Sequence, residues 1–137
     1  NKTRSMICQK LEKRNAKMMP LVHPNTIIGK GVKIGQGSVV MAGAVLNPFC
    51  SVGKGSIINT KSIIEHDCNI GDYVHISPGV MIAGNVSVGS HTWIGIGSKV
   101  INDIKIGKGV VIGANSTVIK NIHDNDKVVG TPAKSIK

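Results

Sequence analysis

The sequence predicts an all-β solenoid, in which short strands wind around a narrow apolar core. Three observations support this fold class: branched aliphatic residues recur every six positions, glycine directly follows many of them, and aromatic side chains are almost absent. The period runs from Ile28 to Val118 without an insertion. A short repeat that keeps its phase is typical of solenoids, because each unit buries its apolar face only by stacking on the next.

Each six-residue unit predicts one brief strand and one turn. Residues two positions before the aliphatic are small or β-branched, and short β-branched runs bounded by turns indicate strands. Glycine relieves the backbone where the chain turns. Three units make one triangular coil of eighteen residues. Equivalent positions of successive coils should therefore stack at the parallel-strand spacing of about 4.8 Å.

The two ends of the chain depart from this period. Ile7, Leu11 and Met18 recur at helical spacing, which predicts an amphipathic helix over roughly residues 3 to 18, and Pro20 ends it. The predicted division is an N-terminal helix and linker at 1–20, a solenoid domain at 21–122 and a closing segment at 123–137.

The formal net charge of +10 indicates attraction to anionic small molecules such as nucleotides or polyphosphate cofactors. Lysines that keep exposed strand edges soluble account for the same charge without a ligand. Nucleic acid is not expected as a partner, because the chain has no basic run and no interleaved aromatic residues. No apolar run approaches the roughly 18 residues of a membrane span, so none is expected.

Three cysteines do not form the framework of a disulfide-rich protein. Cys50 and Cys68 are one coil apart, so we expect them to stack inside the solenoid as small buried hydrophobic residues. The sequence lacks a CxxC pair, which argues against a zinc site. Reducing cytoplasm is the expected compartment.

The most polar part of the repeat contains a candidate general base. His66 lies between Glu65 and Asp67, where neighbouring units carry Gly, Ser or Lys, and His75 follows nine residues later. Histidine exchanges a proton near neutral pH, and a carboxylate partner fixes its tautomer and stabilises its cation. The alternative is a solvated turn without a catalytic role.

The eighteen-residue coil predicts what surrounds His66. Gly84 follows one coil later, so its backbone N–H should lie beside the imidazole and could stabilise an oxyanion. Pro78, Ile96 and Ala114 share another column of modest side chains and leave a smooth track along the solenoid. A base, an amide donor and a long groove suit acyl transfer from a thioester.

Four segments carry a resemblance to a known family: Ile63–Cys68, Asp72–Gly79, Ala83–Val86 and Gly130–Lys134. They resemble hexapeptide-repeat sugar acetyltransferases, in particular the sialic-acid O-acetyltransferase family and the related N-acetyltransferases of UDP-4-amino-sugars. The resemblance implies a left-handed parallel β-helix, acetyl-CoA as co-substrate, no metal, and a homotrimer with sites between subunits. It also implies that residues 1–20 are the remnant of a Rossmann-like nucleotide-sugar-binding domain.

The resemblance further implies a role for each matching residue. His66 would be the general base, and Asp67 would support its basicity. His75 would contact acetyl-CoA near the thioester, and the Gly84 amide would donate a hydrogen bond to the oxyanion. Ile96 and Ala114 would line the pantetheine track, and Asn59 would contact the sugar. The acceptor group, amine or hydroxyl, stays open, and serine or a simple sugar is an alternative acceptor.

Two other functions use the same fold. A zinc hydratase of the carbonic-anhydrase type needs histidines about five residues apart on one edge, and the five histidines here do not provide such a pair. A non-catalytic scaffold would leave Glu65–Asp67 as an ordinary solvated turn. Stabilisation by acetyl-CoA would distinguish an enzyme from a scaffold.

Overall fold

Two-residue strands build most of the molecule. The computed structural model describes residues 1–136, in which one helix precedes a series of short strands. The helix α1 spans Lys2–Glu12, and the strands are β1 Leu21–Val22, β2 Ile27–Ile28, β3 Lys33–Ile34, β4 Val39–Val40, β5 Val45–Leu46, β6 Ser51–Val52, β7 Ile57–Ile58, β8 Ile63–Ile64, β9 Asn69–Ile70, β10 His75–Ile76, β11 Met81–Ile82, β12 Ser87–Val88, β13 Trp93–Ile94, β14 Lys99–Val100, β15 Lys105–Ile106, β16 Val111–Ile112, β17 Thr117–Val118, β18 Lys127–Val129 and β19 Lys134–Ser135.

Successive strands join three different parallel sheets, which are the faces of a triangular prism. Face A contains β1, β4, β7, β10, β13, β16 and β18; face B contains β2, β5, β8, β11, β14 and β17; face C contains β3, β6, β9, β12 and β15. Paired residues are eighteen apart from β1 to β17, as in Ser51 with Asn69, which confirms the predicted coil of three units. The fold is a parallel β-helix.

Turns between the faces form three edges, named here by the faces they join. Edge AB includes residues 59–62, 77–80, 95–98 and 113–116; edge BC includes 65–68, 83–86 and 101–104; edge CA includes 53–56, 71–74 and 89–92. The aliphatic second residue of each strand points inward and is almost fully buried from Val40 onward. Function must therefore lie on the outer faces and edges.

The helix α1 packs along edge CA and joins successive coils. The Arg4 guanidinium donates hydrogen bonds to the backbone carbonyls of Gly55, Tyr73 and Val74. Cys8 is buried, and its sulfur approaches the backbone of Gly55 closely. One polar side chain and one small one therefore hold the helix against the prism.

The predicted extent and apolar face of this helix were wrong. The helix ends at Glu12 because Asn15 adopts a left-handed φ of 55° and the Ala16 N–H donates back to the Leu11 carbonyl at 3.1 Å. Ile7 and Leu11, the expected packing residues, are exposed, whereas Ser5 and Cys8 are buried. Only small side chains fit where the helix lies against backbone.

The repeat ends near the C-terminus with a different pairing. Ile122 forms a parallel bridge with Ile106, and β18 adds to β16 on face A. The chain then reverses, so that β19 pairs with β18 in antiparallel orientation. Residues 1–136 include no helix with the length and hydropathy that a membrane crossing requires.

Candidate functional site

Edge BC presents an exposed histidine–aspartate pair. His66 and Asp67 form the turn between β8 and β9, and His66 Nδ1 lies 2.8 Å from Asp67 Oδ2. Asp67 has a left-handed φ of 59°, a conformation that Asp tolerates better than most residues. The hydrogen bond to Asp67 raises the pKa of His66, because the carboxylate stabilises the imidazolium. This arrangement leaves Nε2 as the free ring nitrogen.

Gly84 lies directly against that free nitrogen. A Cβ atom at position 84 would lie 2.8 Å from both Cε1 and Nε2 of His66, which is closer than side chains pack. The Gly84 N–H finds no acceptor among residues 1–136, whereas its carbonyl accepts the Asp103 N–H at 3.1 Å. The predicted neighbours are therefore adjacent, and an unpaired amide donor accompanies the imidazole.

The turns that carry His66 and Gly84 are held from inside by thiols. The Cys50 thiol donates to the Glu65 carbonyl at 2.8 Å, and the Cys68 thiol donates to the Ala83 carbonyl at 3.2 Å. Both cysteines are buried in the core and stack on adjacent coils, as expected. Their hydrogen bonds were not expected. Hydroxyl groups make the equivalent bond, fifteen residues ahead, at Ser38, Ser56, Thr92 and Ser98.

His75 lies on face A rather than at edge BC. Its Nε2 is 3.3 Å from Nδ2 of Asn59, which begins the turn at edge AB. The ring stacks on Trp93 with centroids 6.2 Å apart. Burial lowers the pKa of His75, and the nearby Arg4 cation adds to this shift. The pKa values of His75 and His66 are therefore shifted in opposite directions.

A cavity of about 550 Å³ opens beside His75 at the start of α1. Its lining includes Trp93 and His91, together with Asn125 of the closing segment. Sequence reasoning missed His91 and Asn125; Asn125 lies in the closing segment, beyond the residues that the six-residue period covers. The eighteen-residue register could have indicated His91, which lies one coil after Tyr73 and stacks on its ring at 5.2 Å.

The expected acyl track runs along edge AB. The Gly97 N–H donates to the Pro78 carbonyl at 3.0 Å, and the Asn115 N–H donates to the Ile96 carbonyl at 2.7 Å, so Pro78, Ile96 and Ala114 occupy successive coils. Ile96 is 57% exposed. Face B separates this track from His66, so a single chain does not bring the two together.

Possible metal ligands do not converge in the part of the chain that the structure describes. Within residues 1–136, no three side chains of His, Cys, Asp or Glu form a group that could hold a metal ion. The carboxylate of Asp67 instead forms a hydrogen bond with the His66 ring.

The prism and its six-residue period agree with one family model. That model, bacterial transferase hexapeptide with six repeats, matches residues 49–84 and 85–120. The chain belongs to the bacterial transferase hexapeptide family. The matched ranges of this hexapeptide transferase include His66, His75 and Gly84 in the first range and Ile96 and Ala114 in the second. No curated protein sequence gives a significant match.

Solved structures extend this likeness to almost the whole chain. The acetyltransferase domain of PglB from Neisseria gonorrhoeae is 36% identical over 98% of this chain and 66% of its own, with a TM-score of 0.97. PerB from Caulobacter crescentus, solved with CoA and GDP-perosamine, is 32% identical over 100% of this chain and 66% of its own, with a TM-score of 0.99. WeeI from Acinetobacter baumannii is 33% identical over 98% of this chain and 66% of its own, with a TM-score of 0.93.

The hexapeptide transferase described here therefore spans about two thirds of the length of these structures. The PglB domain has also been solved in complex with acetyl coenzyme A. The shared part is the prism with its preceding helix.

Proposed function

We propose that this protein is an acetyl-CoA-dependent acetyltransferase. It moves the acetyl group onto an amino or hydroxyl group of a sugar, typically nucleotide-linked, for the biosynthesis of bacterial surface polysaccharides or glycans. The observation that carries the proposal is the exposed pair of His66 and Asp67 against the unpaired amide of Gly84. The complexes of PglB with acetyl coenzyme A and of PerB with CoA and GDP-perosamine support the choice of substrates.

The proposed mechanism uses both sides of the His66 ring. Asp67 holds the proton on Nδ1, so Nε2 can accept a proton from the attacking amine or hydroxyl. The nucleophile then forms a bond to the acetyl carbon, and the Gly84 N–H donates to the resulting oxyanion. As the carbon–sulfur bond breaks, His66 returns its proton to the departing thiolate. General-base catalysis of this kind contributes about 10²- to 10⁴-fold.

The separation of the two edges supports a homotrimer with sites between subunits. Face B lies between edges AB and BC, and its outer surface carries the exposed apolar side chains of Ile27 and Met81. Packing face B around a threefold axis would cover these side chains and bring edge BC of one copy near edge AB of the next. His66 of one copy would then meet the track of Ile96 and Ala114 on its neighbour.

The acceptor contacts are proposed on the same basis. Asn59 would contact the sugar, and His75 would contact acetyl-CoA near the thioester. The relatives extend beyond this chain by about a third of their length, and a nucleotide-sugar-binding domain there would supply the rest of the acceptor site. The three unpaired thiols, all buried, support a reducing cytoplasmic compartment.

Mass spectrometry of reaction products tests the proposal. The protein is incubated with acetyl-CoA and a panel of UDP- and GDP-linked amino sugars and sialic acid, and His66→Ala is the matched control. We expect one or more acceptors to gain an acetyl group, and the rate to fall at least about 10²-fold in the variant. Equal acetylation by the variant would contradict the assigned base. Absence of any acetylated product, together with no stabilisation by acetyl-CoA, would favour the scaffold.

A further inference from the structure

The orientation of the Asn59 side chain is fixed by the backbone. Its Oδ1 accepts the Thr60 N–H at 2.8 Å and lies 3.3 Å from Thr60 Oγ1. A backbone N–H can only donate, so the amide oxygen must face Thr60. The amide nitrogen of Asn59 must then face the other way, toward His75.

This orientation determines where the proton of His75 lies. Asn59 Nδ2 is 3.3 Å from His75 Nε2, and an amide nitrogen can only donate. Nε2 must therefore accept, which requires a neutral ring with its proton on Nδ1. Burial and the Arg4 cation lower the pKa of His75, a direction that agrees with the neutral ring that this geometry requires.

The Nδ1–H group of His75 has no hydrogen-bond acceptor among residues 1–136. The ring is half-buried, stacks on Trp93 and lines the cavity of about 550 Å³ beside α1. This Nδ1–H is not buried from solvent, so a ligand oxygen entering the cavity could take the place of water as its acceptor. The ring therefore has one nitrogen held by the protein and one available to a ligand.

We propose that Asn59 is a positioning residue that holds His75 as the Nδ1–H tautomer. His75 is then a neutral hydrogen-bond donor to a carbonyl oxygen of acetyl-CoA, and not a second base. The tautomer stands on the geometry alone, whereas the identity of the acceptor rests on the proposed function. Asn59 donates only one of its two N–H groups to His75, so the other remains available to the sugar.

Nuclear magnetic resonance tests the tautomer without any substrate. Two-bond correlations in protein labelled with ¹⁵N-histidine distinguish a protonated from an unprotonated ring nitrogen, and His75→Gln assigns the signals. We expect wild-type His75 to be protonated on Nδ1. Asn59→Asp replaces the donor by an acceptor, so Nε2 should become protonated. Asn25→Asp, the same change two coils away on edge AB, should leave His75 as in the wild type.

Kinetics test what the tautomer does. In Asn59→Ala the ring is free to exchange its proton between the nitrogens, and we expect the KM for acetyl-CoA to rise about three- to tenfold, the value of one hydrogen bond. The KM for acetyl-CoA should rise less in His75→Gln, whose amide can still donate a hydrogen bond, than in His75→Ala.

The outcomes separate the two proposals. A wild-type ring protonated on Nε2, or an unchanged tautomer in Asn59→Asp, would overturn the role of Asn59. The expected tautomer with an unchanged acetyl-CoA KM in Asn59→Ala would overturn the role of His75 as donor. If the tautomer is as expected but the protein neither binds nor uses acetyl-CoA, the proposed function fails and only the positioning by Asn59 stands.

Discussion

His66 has one defining neighbour on each side of its ring. Asp67 occupies Nδ1 through a 2.8 Å hydrogen bond, and Gly84 leaves room beside Nε2 because it has no side chain. The first neighbour determines the basicity of the imidazole, and the second determines what can approach it. Each can be changed separately, which gives two predictions at the scale of single residues.

The pH dependence of catalysis should report the hydrogen bond to Asp67. A general base acts only when neutral, so kcat/KM should rise with pH as His66 loses its proton. Because the pKa of His66 is raised, this rise should occur at a higher pH than for an ordinary histidine. Asp67→Asn removes the carboxylate that stabilises the imidazolium, so this rise should move to lower pH and reach a lower plateau. A pH–rate profile of Asp67→Asn that does not move, or that moves to higher pH, would contradict the assignment of His66 as the base supported by Asp67.

Gly84→Ala should reduce activity without destabilising the fold. The new methyl group would lie 2.8 Å from the His66 ring, which is 61% exposed and can rotate away. Displacing the base by about 1 Å costs on the order of 10²-fold in kcat. The melting temperature should stay close to that of the wild type. In the double variant Gly84→Ala with His66→Ala, the loss of activity should be smaller than the product of the two single losses, because both changes act on one ring. A loss equal to that product would refute the contact between position 84 and His66.

At the scale of the repeat unit, several turns are held by an inward polar side chain of the preceding coil. Sequence reasoning predicted the strands and the burial of Cys50 and Cys68, because both follow from periodicity. It could not predict that the thiols donate to the carbonyls of Glu65 and Ala83, since that depends on turn geometry. The thiols thereby support the turns that present His66 and Gly84.

Substitution of Cys50 distinguishes a hydrogen-bond donor from a plain hydrophobic residue. Cys50→Ser keeps a donor, as Ser38 and Ser56 do at equivalent positions, and should change the free energy of unfolding by less than about 1 kcal/mol. Cys50→Ala leaves the Glu65 carbonyl unpaired and should cost about 1–3 kcal/mol. Urea unfolding at constant m-value measures both. A serine variant less stable than the alanine variant would show that only hydrophobicity matters.

The helix α1 shows where sequence reasoning fails. Apolar spacing selected Ile7 and Leu11 as the packing face, but the helix instead lies on backbone at edge CA through Arg4 and Cys8. Packing on backbone favours small or hydrogen-bonding side chains, which hydrophobic periodicity does not detect.

For the whole molecule, the register predicted which residues share a column but not which columns share a site. It paired His66 with Gly84, and Ile96 with Ala114, as the structure has them. The same register also placed these two columns on different edges, which the structure has as edges BC and AB on either side of face B. The account therefore requires that neighbouring copies complete each site.

Activity of mixed trimers tests this central claim most directly. His66→Ala removes the base, and Ala114→Trp blocks the track, so each variant alone should be inactive. Co-expressed with different affinity tags and purified through both, the two variants should form trimers in which a neighbouring pair supplies an intact base and an intact track. Each trimer that contains both variants has one such pair among its three sites, so about a third of the sites would be restored, with a corresponding rate of acetyl transfer. Mixed trimers as inactive as the parents would contradict a site shared between copies.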